Sequence, residues 1–555
     1  MAHFVCPIPS IPGIGMAPPI PNTREDMKAA ADGEDNGYKP PASILIIGSG
    51  VFGLSTALSL TRRPEIPLDT PITIIDRSPE PGVFPARDAA SIDSSRIIRA
   101  DYADAAYTKL AGEAQAHWRR DIDNRNSLGG DGRYNESGLL LAADGGDGAT
   151  THPDGHPTGL GYTKRSWVNA LALAHTEGRP LSSVRLLPTP FAIGRVSGTD
   201  GEWADWGYLN TAAGWADAEK SMRWLYDKVV ETGRVTFVNG TVEALEPQSG
   251  ETPGKGRRVT GARLTDGRHV SADLVIVAAG AWTPSLVNLA GQAVATGQCL
   301  AYLRLTDEEQ AKLDGMPVCL NLTDGCFVIP PRDGVLKIAR HSYGYLNPQP
   351  ATHEPLKCCS SSGPRDGGEN GGTDDSNPAA RSISRPRTHL TDLSLSIPAE
   401  GAADLRRALR RMIPWPELAQ RPFFKTRLCW YTDTATGDWI IDYHPSYENL
   451  FIATGGSGHA FKFLPVLGGK VVDCLVGRCP EAFRDKWKWK GGVVITENAT
   501  YGEKEAEEGG DETQGQRATL VADLAVERGV VTEDGSRGGK PGLVLQEEMA
   551  KSGRS

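Results

Sequence analysis

Short, dense apolar runs ending in glycine punctuate the chain from Ser43 onward, each leading into turn and helix-length sequence. Residues 43–47 (SILII) form a continuous apolar run, the pattern of a strand buried on both faces. They pass straight into Gly48-Ser49-Gly50-Val51-Phe52-Gly53 and the helical stretch LSTALSL. A second run, Ile72 to Ile75, stops at Asp76. Two more lie far downstream, at 273–280 (DLVIVAAG) and 450–459 (LFIATGGSGH), the latter before the helical stretch LPVLGGKVVDCLVG. Such runs predict the parallel strands of an α/β, Rossmann-type domain whose pieces are discontinuous in the chain. Elsewhere the period changes to two. After a Pro-Arg-Asp-Gly turn, Val335, Lys337, Ala339 and His341 fall on one face of a strand. With strands over 298–305 and 326–341, this predicts a second domain built on an antiparallel sheet.

Composition marks the edges of these units. Residues 1–42, rich in Pro, Gly and charge, read as a disordered extension, and 43–490 as the folded body. Dinucleotide-binding segments are predicted over 43–110, 215–295 and 425–480, and the substrate domain over 130–214 and 296–424. A biased stretch at 358–385 reads as a disordered insertion in a surface loop. Residues 491–555 read as an acidic, mostly disordered tail with no part in the site.

Size and charge narrow the function. A chain of 555 residues, 39% hydrophobic with 12 Trp, can fill two domain cores. Its net charge of -10 leaves no basic stripe for phosphates, which argues against nucleic acid and for a small-molecule partner. No apolar run of about 18 residues occurs, so no membrane span is expected. The nine cysteines, odd in number and irregularly spaced, suggest neither a disulfide framework nor a metal site. The N-terminus lacks a basic n-region, and the last residues, Ser-Gly-Arg-Ser, differ from a peroxisomal Ser-Lys-Leu. A cytoplasmic monomer is the expectation.

The glycine turn has a specific chemistry. Its first glycine permits the tight turn, its second lets backbone approach a pyrophosphate, and its third lets helix pack on strand. Asp76, 23 residues past Gly53, is placed to accept ribose hydroxyls. The motif alone does not separate FAD from NAD. Glycine-bearing strand ends spread over the whole chain favour one extended cofactor, and FAD fits that better.

Five motifs in order then carry a resemblance. They are Gly48 to Gly53, Ser94-Ser95-Arg96-Ile97-Ile98-Arg99, Leu336 to His341, Cys429-Trp430-Tyr431-Thr432, and Gly456-Ser457-Gly458-His459-Ala460-Phe461-Lys462-Phe463. Over 43–490 the chain resembles the monomeric sarcosine oxidase branch of the D-amino-acid-oxidase-like flavoproteins. It is also similar to the fungal L-pipecolate, L-saccharopine and fructosyl amino acid oxidases. The resemblance implies an FAD-dependent oxidase that converts an amine C–N bond to an imine by hydride transfer to the flavin, with oxygen reduced to hydrogen peroxide. Where bacterial sarcosine oxidases carry histidines this chain has Ser91 and Ile92, and Tyr431 stands where fructosyl amino acid oxidases carry an acid. The tyrosine and the segment 207–218 lean toward pipecolate or saccharopine. A tailoring oxidase of secondary metabolism and a dinucleotide-binding protein without turnover are the alternatives.

The same resemblance implies roles for residues. Beside the glycine turn, with Ser49, Gly50, Val51 and Phe52, the FAD site takes in Asp76, Arg77, Ser94, Ser95, Arg96, Val242, Ala279, Gly280 and Trp282. Gly456, Ser457, Gly458, His459, Phe461 and Lys462 complete it, and Cys429 is implied as a covalent thioether to the flavin. Without that context Cys429 would read as a core cysteine. Lys337 is implied over the flavin, supplying charge for the reaction with oxygen; the plainer reading is a solvated edge-strand lysine. Arg99 and Lys462 are implied to grip a substrate carboxylate, with Tyr431 and His341 beside them. The spacing of Arg96 and Arg99 lets both point one way if the segment is a helical turn.

Overall fold

The computed structural model describes residues 38–490, apart from Pro79, Pro81, 146–147, 249–256, 352–355 and 357–381, together with residues 531–552. The expected N-terminal extension, except Tyr38 to Ala42, most of the 358–385 insertion and 491–530 lie outside the described residues.

Among the elements that shape the site, the first are strand β1 (Ile44–Ile47), helix α1 (Val51–Leu60), and strands β2 (Ile72–Asp76), β3 (Arg96–Ile98), β4 (Val235–Asn239) and β5 (Leu274–Val277). Strands β6 (Ala293–Arg304), β7 (Cys326–Arg332) and β8 (Val335–Arg340) follow, then helix α2 (Ala399–Met412). Next come β9 (Lys425–Thr434), β10 (Ile440–Tyr443), β11 (Leu450–Thr454) and helix α3 (Leu464–Leu475). Strand β12 (Leu543–Val544) and helix α4 (Leu545–Ser552) close the described chain.

Six strands form the nucleotide sheet in the order β10-β11-β5-β1-β2-β4, parallel throughout except for the pair β10 and β11. All four residues of β1 are buried, as its unbroken apolar run requires. Helices α1 and α3 touch backbone to backbone: a Cβ at Gly468 would lie 1.9 Å from the Ser55 carbonyl oxygen.

A ten-stranded sheet carries the second layer. Its path runs from β12 through Tyr345–Leu346, β6, β8, β7, Val318–Asn321, Leu139–Ala143 and Trp206–Asn210 to Val184–Leu187, with β9 also paired to β6. Helix α2 packs on it through Leu405, Leu409 and Met412. The fold is therefore α/β, a discontinuous Rossmann-type sheet joined to a largely antiparallel one.

Four details differ from the sequence reading. Strand β9, expected with the nucleotide segments, pairs along β6 from Ala293 and Thr434 to Tyr302 and Lys425; local pattern gives a strand but not its partner. Residues 96–98 are a strand paired with Gly214–Ala216, not a helical turn, because Ile97 and Ile98 are β-branched and the partner edge is free. Within the biased stretch, Ser382–Ser384 is a strand on Pro348–Pro350. Finally, 531–552 is packed: β12 pairs with Tyr345–Leu346, and α4 lies against α2. Leu543, Val544 and Leu545 extend an existing edge, and Met549 packs on the core beside it.

Candidate active site

The glycine turn opens on a cavity of about 390 Å³. Gly48 has φ +101°, and a Cβ there would lie 2.5 Å from the Ala278 carbonyl oxygen; a Cβ at Gly53 would lie 1.8 Å from the Gly48 carbonyl oxygen. Those two glycines are demanded by the protein's own packing. Gly50 is different: a Cβ would meet nothing nearer than the Ser91 hydroxyl at 4.0 Å, so its backbone stands open to the cavity. Helix α1 begins there without a side-chain cap, and the Ser91 Oγ is buried with no hydrogen-bond partner among the described residues. Free N–H groups at a helix start and a vacant hydroxyl suit an anionic pyrophosphate.

Val51, Phe52, Asp76, Arg77, Val242, Ala279, Gly280 and Trp282 also line this cavity, as do Arg96, Gly456, Ser457, Gly458 and Phe461. Asp76 already accepts from the Ser49 N–H at 2.8 Å, the Ser49 hydroxyl at 2.5 Å and the Arg77 N–H at 2.7 Å. Burial pushes its carboxyl up, against these donors. Ser49 thus acts behind the wall, tying β2 to the turn. The Arg77 guanidinium lies 3.9 Å over the Trp282 ring and is held by two bonds of 3.0 Å to Asp88. Ser94, also expected here, is exposed and is not among the residues lining this cavity or the next.

A second cavity of about 70 Å³ shares Arg96, Tyr431, Gly458 and Phe461 with the first. Ser95, Arg99, Lys337, His341, Cys429, His459 and Lys462 complete the part predicted from sequence. Lys337 and Ala339 face it from β8 and His341 from just beyond, as period-two alternation predicts. Lys337 is buried, and its Nζ donates to Asp93 Oδ2 at 2.5 Å and to the Ser95 carbonyl at 2.8 Å. Burial pulls this lysine down to about 8, with Asp93 opposing the fall. Cys429 is buried, its Sγ 3.5 Å from an Arg96 guanidinium nitrogen.

Arg99 and Lys462 meet around Tyr102. The Lys462 Nζ donates to the Tyr102 hydroxyl at 2.8 Å, and the Arg99 guanidinium sits 4.8 Å over the Tyr102 ring. Arg99 Nη1 is buried with no hydrogen-bond partner among the described residues. Burial and the Arg99 charge push Lys462 well below the ordinary lysine range. The buried Asp101 carboxylate opposes the fall of Lys462 and supports Arg99, and a ligand anion here would add to it and favour the protonated lysine.

Arg99, Tyr102, His341 and His459 also line a third cavity, of about 370 Å³, whose far wall includes Asp534, Ser536 and Arg537. Arg537 donates to Asp433 at 2.7 Å and to the Ser457 carbonyl at 2.9 Å, approaches His341 Nδ1 at 3.3 Å, and lies 5.5 Å over the Tyr431 ring. Burial and the Arg537 charge hold His341 well below the usual histidine range. Sequence reasoning missed Arg537 because it lies in the segment set aside as an acidic tail. It also missed Tyr102 and Asp93; the acid three residues before Arg96 was the available signal.

A glycine-lined dinucleotide cavity opening onto a buried, cation-lined chamber defines a nucleotide-dependent redox enzyme. Comparison with known proteins names the class. The family model "DAO: FAD dependent oxidoreductase" matches residues 43–474. The chain is 32% identical over 492 residues to the amino acid oxidase imqH of Aspergillus flavus, covering 81% of this chain and 98% of that one. It is 29% identical over 458 residues to the L-saccharopine oxidase of Schizosaccharomyces pombe, covering 81% and 93%. A solved structure, the fructosamine oxidase Amadoriase II of Aspergillus fumigatus, superposes with a TM-score of 0.61 at 25% identity, covering 82% and 91%. The chain belongs to the FAD-dependent oxidoreductases of the DAO family.

Proposed function

We propose that this protein is an oxidase of a carboxylate-bearing amino acid or secondary amine, converting its C–N bond to an imine while oxygen becomes hydrogen peroxide. The observation that carries the reading is the unpartnered Arg99 Nη1 beside Lys462, in a chamber that shares four lining residues with the dinucleotide cavity. FAD, when bound, supplies the two-electron acceptor and passes those electrons to oxygen.

The residues of the chain bind, orient and hold charge. Arg99 and Lys462 take the substrate carboxylate, and its negative charge draws Lys462 back toward its protonated form. Tyr102, hydrogen-bonded to Lys462 and to His459 Nδ1, fixes that grip. His341 and His459, neutral by burial and neighbouring cations, add polarity without charge; with an amine that binds neutral, no side chain is needed as a strong general base. Lys337 presents an ammonium to the chamber where charge develops during reaction with oxygen. Cys429, buried at the same wall, is proposed as the thioether link to the cofactor.

The third cavity favours a substrate with a second polar arm. Its lining by Tyr102, Tyr162, Arg165, Asp534 and Arg537 suits an extended molecule of the saccharopine kind better than compact pipecolate. A peroxide-coupled screen of the purified protein against saccharopine, pipecolate, sarcosine and fructosyl amino acids tests this. Turnover of an acid with a polar arm is expected; purification as a colourless protein that takes up no flavin would refute the reading.

A further inference from the structure

Asp93 stands apart from every role assigned so far. It lines neither the dinucleotide cavity nor the substrate chamber, yet it is 6% exposed and receives donors from three parts of the fold. Lys337 of β8 donates to its Oδ2 at 2.5 Å. The Tyr302 hydroxyl of β6 donates to its Oδ1 at 2.5 Å, and the Ser94 N–H to the same oxygen at 2.8 Å. The Arg96 guanidinium of β3 donates to Oδ2. Arg427 of β9 adds a further charge close by, its own guanidinium anchored on the Ile92 and Ala89 carbonyls. One carboxylate thus sits among three cations in a buried wall.

We infer that Asp93 is the positioning residue for Lys337, its carboxylate fixing the ammonium at the wall that the substrate chamber shares with Arg96 and Cys429. The inference rests on the oxidase reading above and adds to it a residue acting through Lys337 rather than on substrate or cofactor.

A lysine on a four-carbon stem has many rotamers, and a buried ammonium without a counter-charge loses its proton. The groups facing Lys337 are Asp93 and Arg96 from the segment around β3, Tyr302 from β6, and Arg427, Cys429 and Tyr431 from β9, with Lys425 over the Tyr302 ring at 5.5 Å. Without Asp93 the remaining formal charges there are positive, and both they and burial act to discharge the lysine. Asp93 itself is no proton acceptor in this range. Burial would raise its carboxyl, but Lys337, Arg96 and Arg427 hold it well below the ordinary carboxylate range.

The test is Asp93→Asn in the full-length holoenzyme, with two readouts. One is the pH dependence of Lys337 acylation by acetic anhydride, quantified by mass spectrometry, which reports the lysine whether or not the enzyme turns over. The other is rapid-mixing measurement of flavin reduction and of reoxidation by oxygen. Wild-type half-labelling is expected at about pH 8. In the variant it should move down by about 1 to 3 pH units, the range set by one close opposite charge. Reoxidation at pH 7.5 should then fall by about threefold for a shift of one unit and by about 200-fold for three, and recover on acidification, while reduction changes far less. Asp93→Glu should restore part of both. Tyr302→Phe, which removes one donor to Asp93, should move labelling to higher pH and guards against a misfolded Asp93→Asn.

An unshifted labelling profile in either the Asn or the Phe variant would overturn the proposal, as would equal slowing of both half-reactions without recovery in acid. Lys337→Met separates the two levels of argument. If it leaves reoxidation intact, the role of the lysine itself fails; if it slows reoxidation while Asp93→Asn shifts nothing, only the role of Asp93 falls.

Discussion

Arg99 shows how a role implied by resemblance meets a local geometry that spacing does not give. The spacing of Arg96 and Arg99 would put both on one face in a helical turn; the chain is instead extended at Arg96–Ile98. Both arginines line the chamber; Arg96 also reaches the dinucleotide cavity, and Arg99 the third cavity. Arg99→Ala should weaken use of carboxylate-bearing substrates by about 2 kcal/mol, roughly 30-fold in kcat/KM, while uncharged amines lose little. Steady-state kinetics on an acid and its amide would check this, and equal losses on both would contradict the carboxylate grip. If Cys429 is the thioether link proposed above, wild-type colour should stay in the pellet after acid precipitation, and Cys429→Ala should release it to the supernatant. The glycines at 48 and 53 were legible because their constraint is local, a turn closing on its own strand and helix. Asp93 and Arg537 were not, because a carboxylate or guanidinium becomes a site residue only through partners hundreds of positions away.

At the scale of elements, the apolar runs announced strands and the packing of α1 on α3 explains their setting. Gly468→Ala should destabilise by about 1 to 3 kcal/mol, since the added methyl would overlap the Ser55 carbonyl and push the helices apart. Its neighbour offers a control: nothing lies within 4 Å of a Cβ at Gly469, so Gly469→Ala should be neutral or stabilise by up to about 1 kcal/mol through helix propensity. Thermal melts should place Gly468→Ala below the wild type and Gly469→Ala at or above it. Strand β9 marks the limit of such reasoning. Its sequence, KTRLCWYTDT, reads as a strand, but the choice between the nucleotide sheet and β6 depends on where β6 lies.

Across the whole molecule, the segment 531–552 changes the boundary of the enzyme. It extends the ten-stranded sheet by β12, packs α4 on α2 and places Arg537 against Asp433, Ser457 and His341. Truncation after residue 530 would remove the guanidinium paired with Asp433 and uncover the wall around it, a loss of about 1–3 kcal/mol. The shortened protein should melt earlier and show a raised KM, measured by calorimetry and by the peroxide-coupled assay; unchanged values for both would mean the segment is dispensable. No helix among the described residues is long and apolar enough to cross a membrane, in keeping with the absence of long apolar runs.

The amino-acid sequence alone determined the class of fold and the glycine turn, because continuous apolar runs, period-two alternation and tight turns are properties of neighbouring residues. Tertiary structure decided which strand pairs with which, that Arg96 and Arg99 reach one chamber from an extended segment, that Asp93 sits at the centre of a buried charge cluster, and that residues 534–537 help wall the site. Those outcomes depend on long-range pairing and on burial, where the energy of a charge is fixed by its surroundings rather than by its place in the chain.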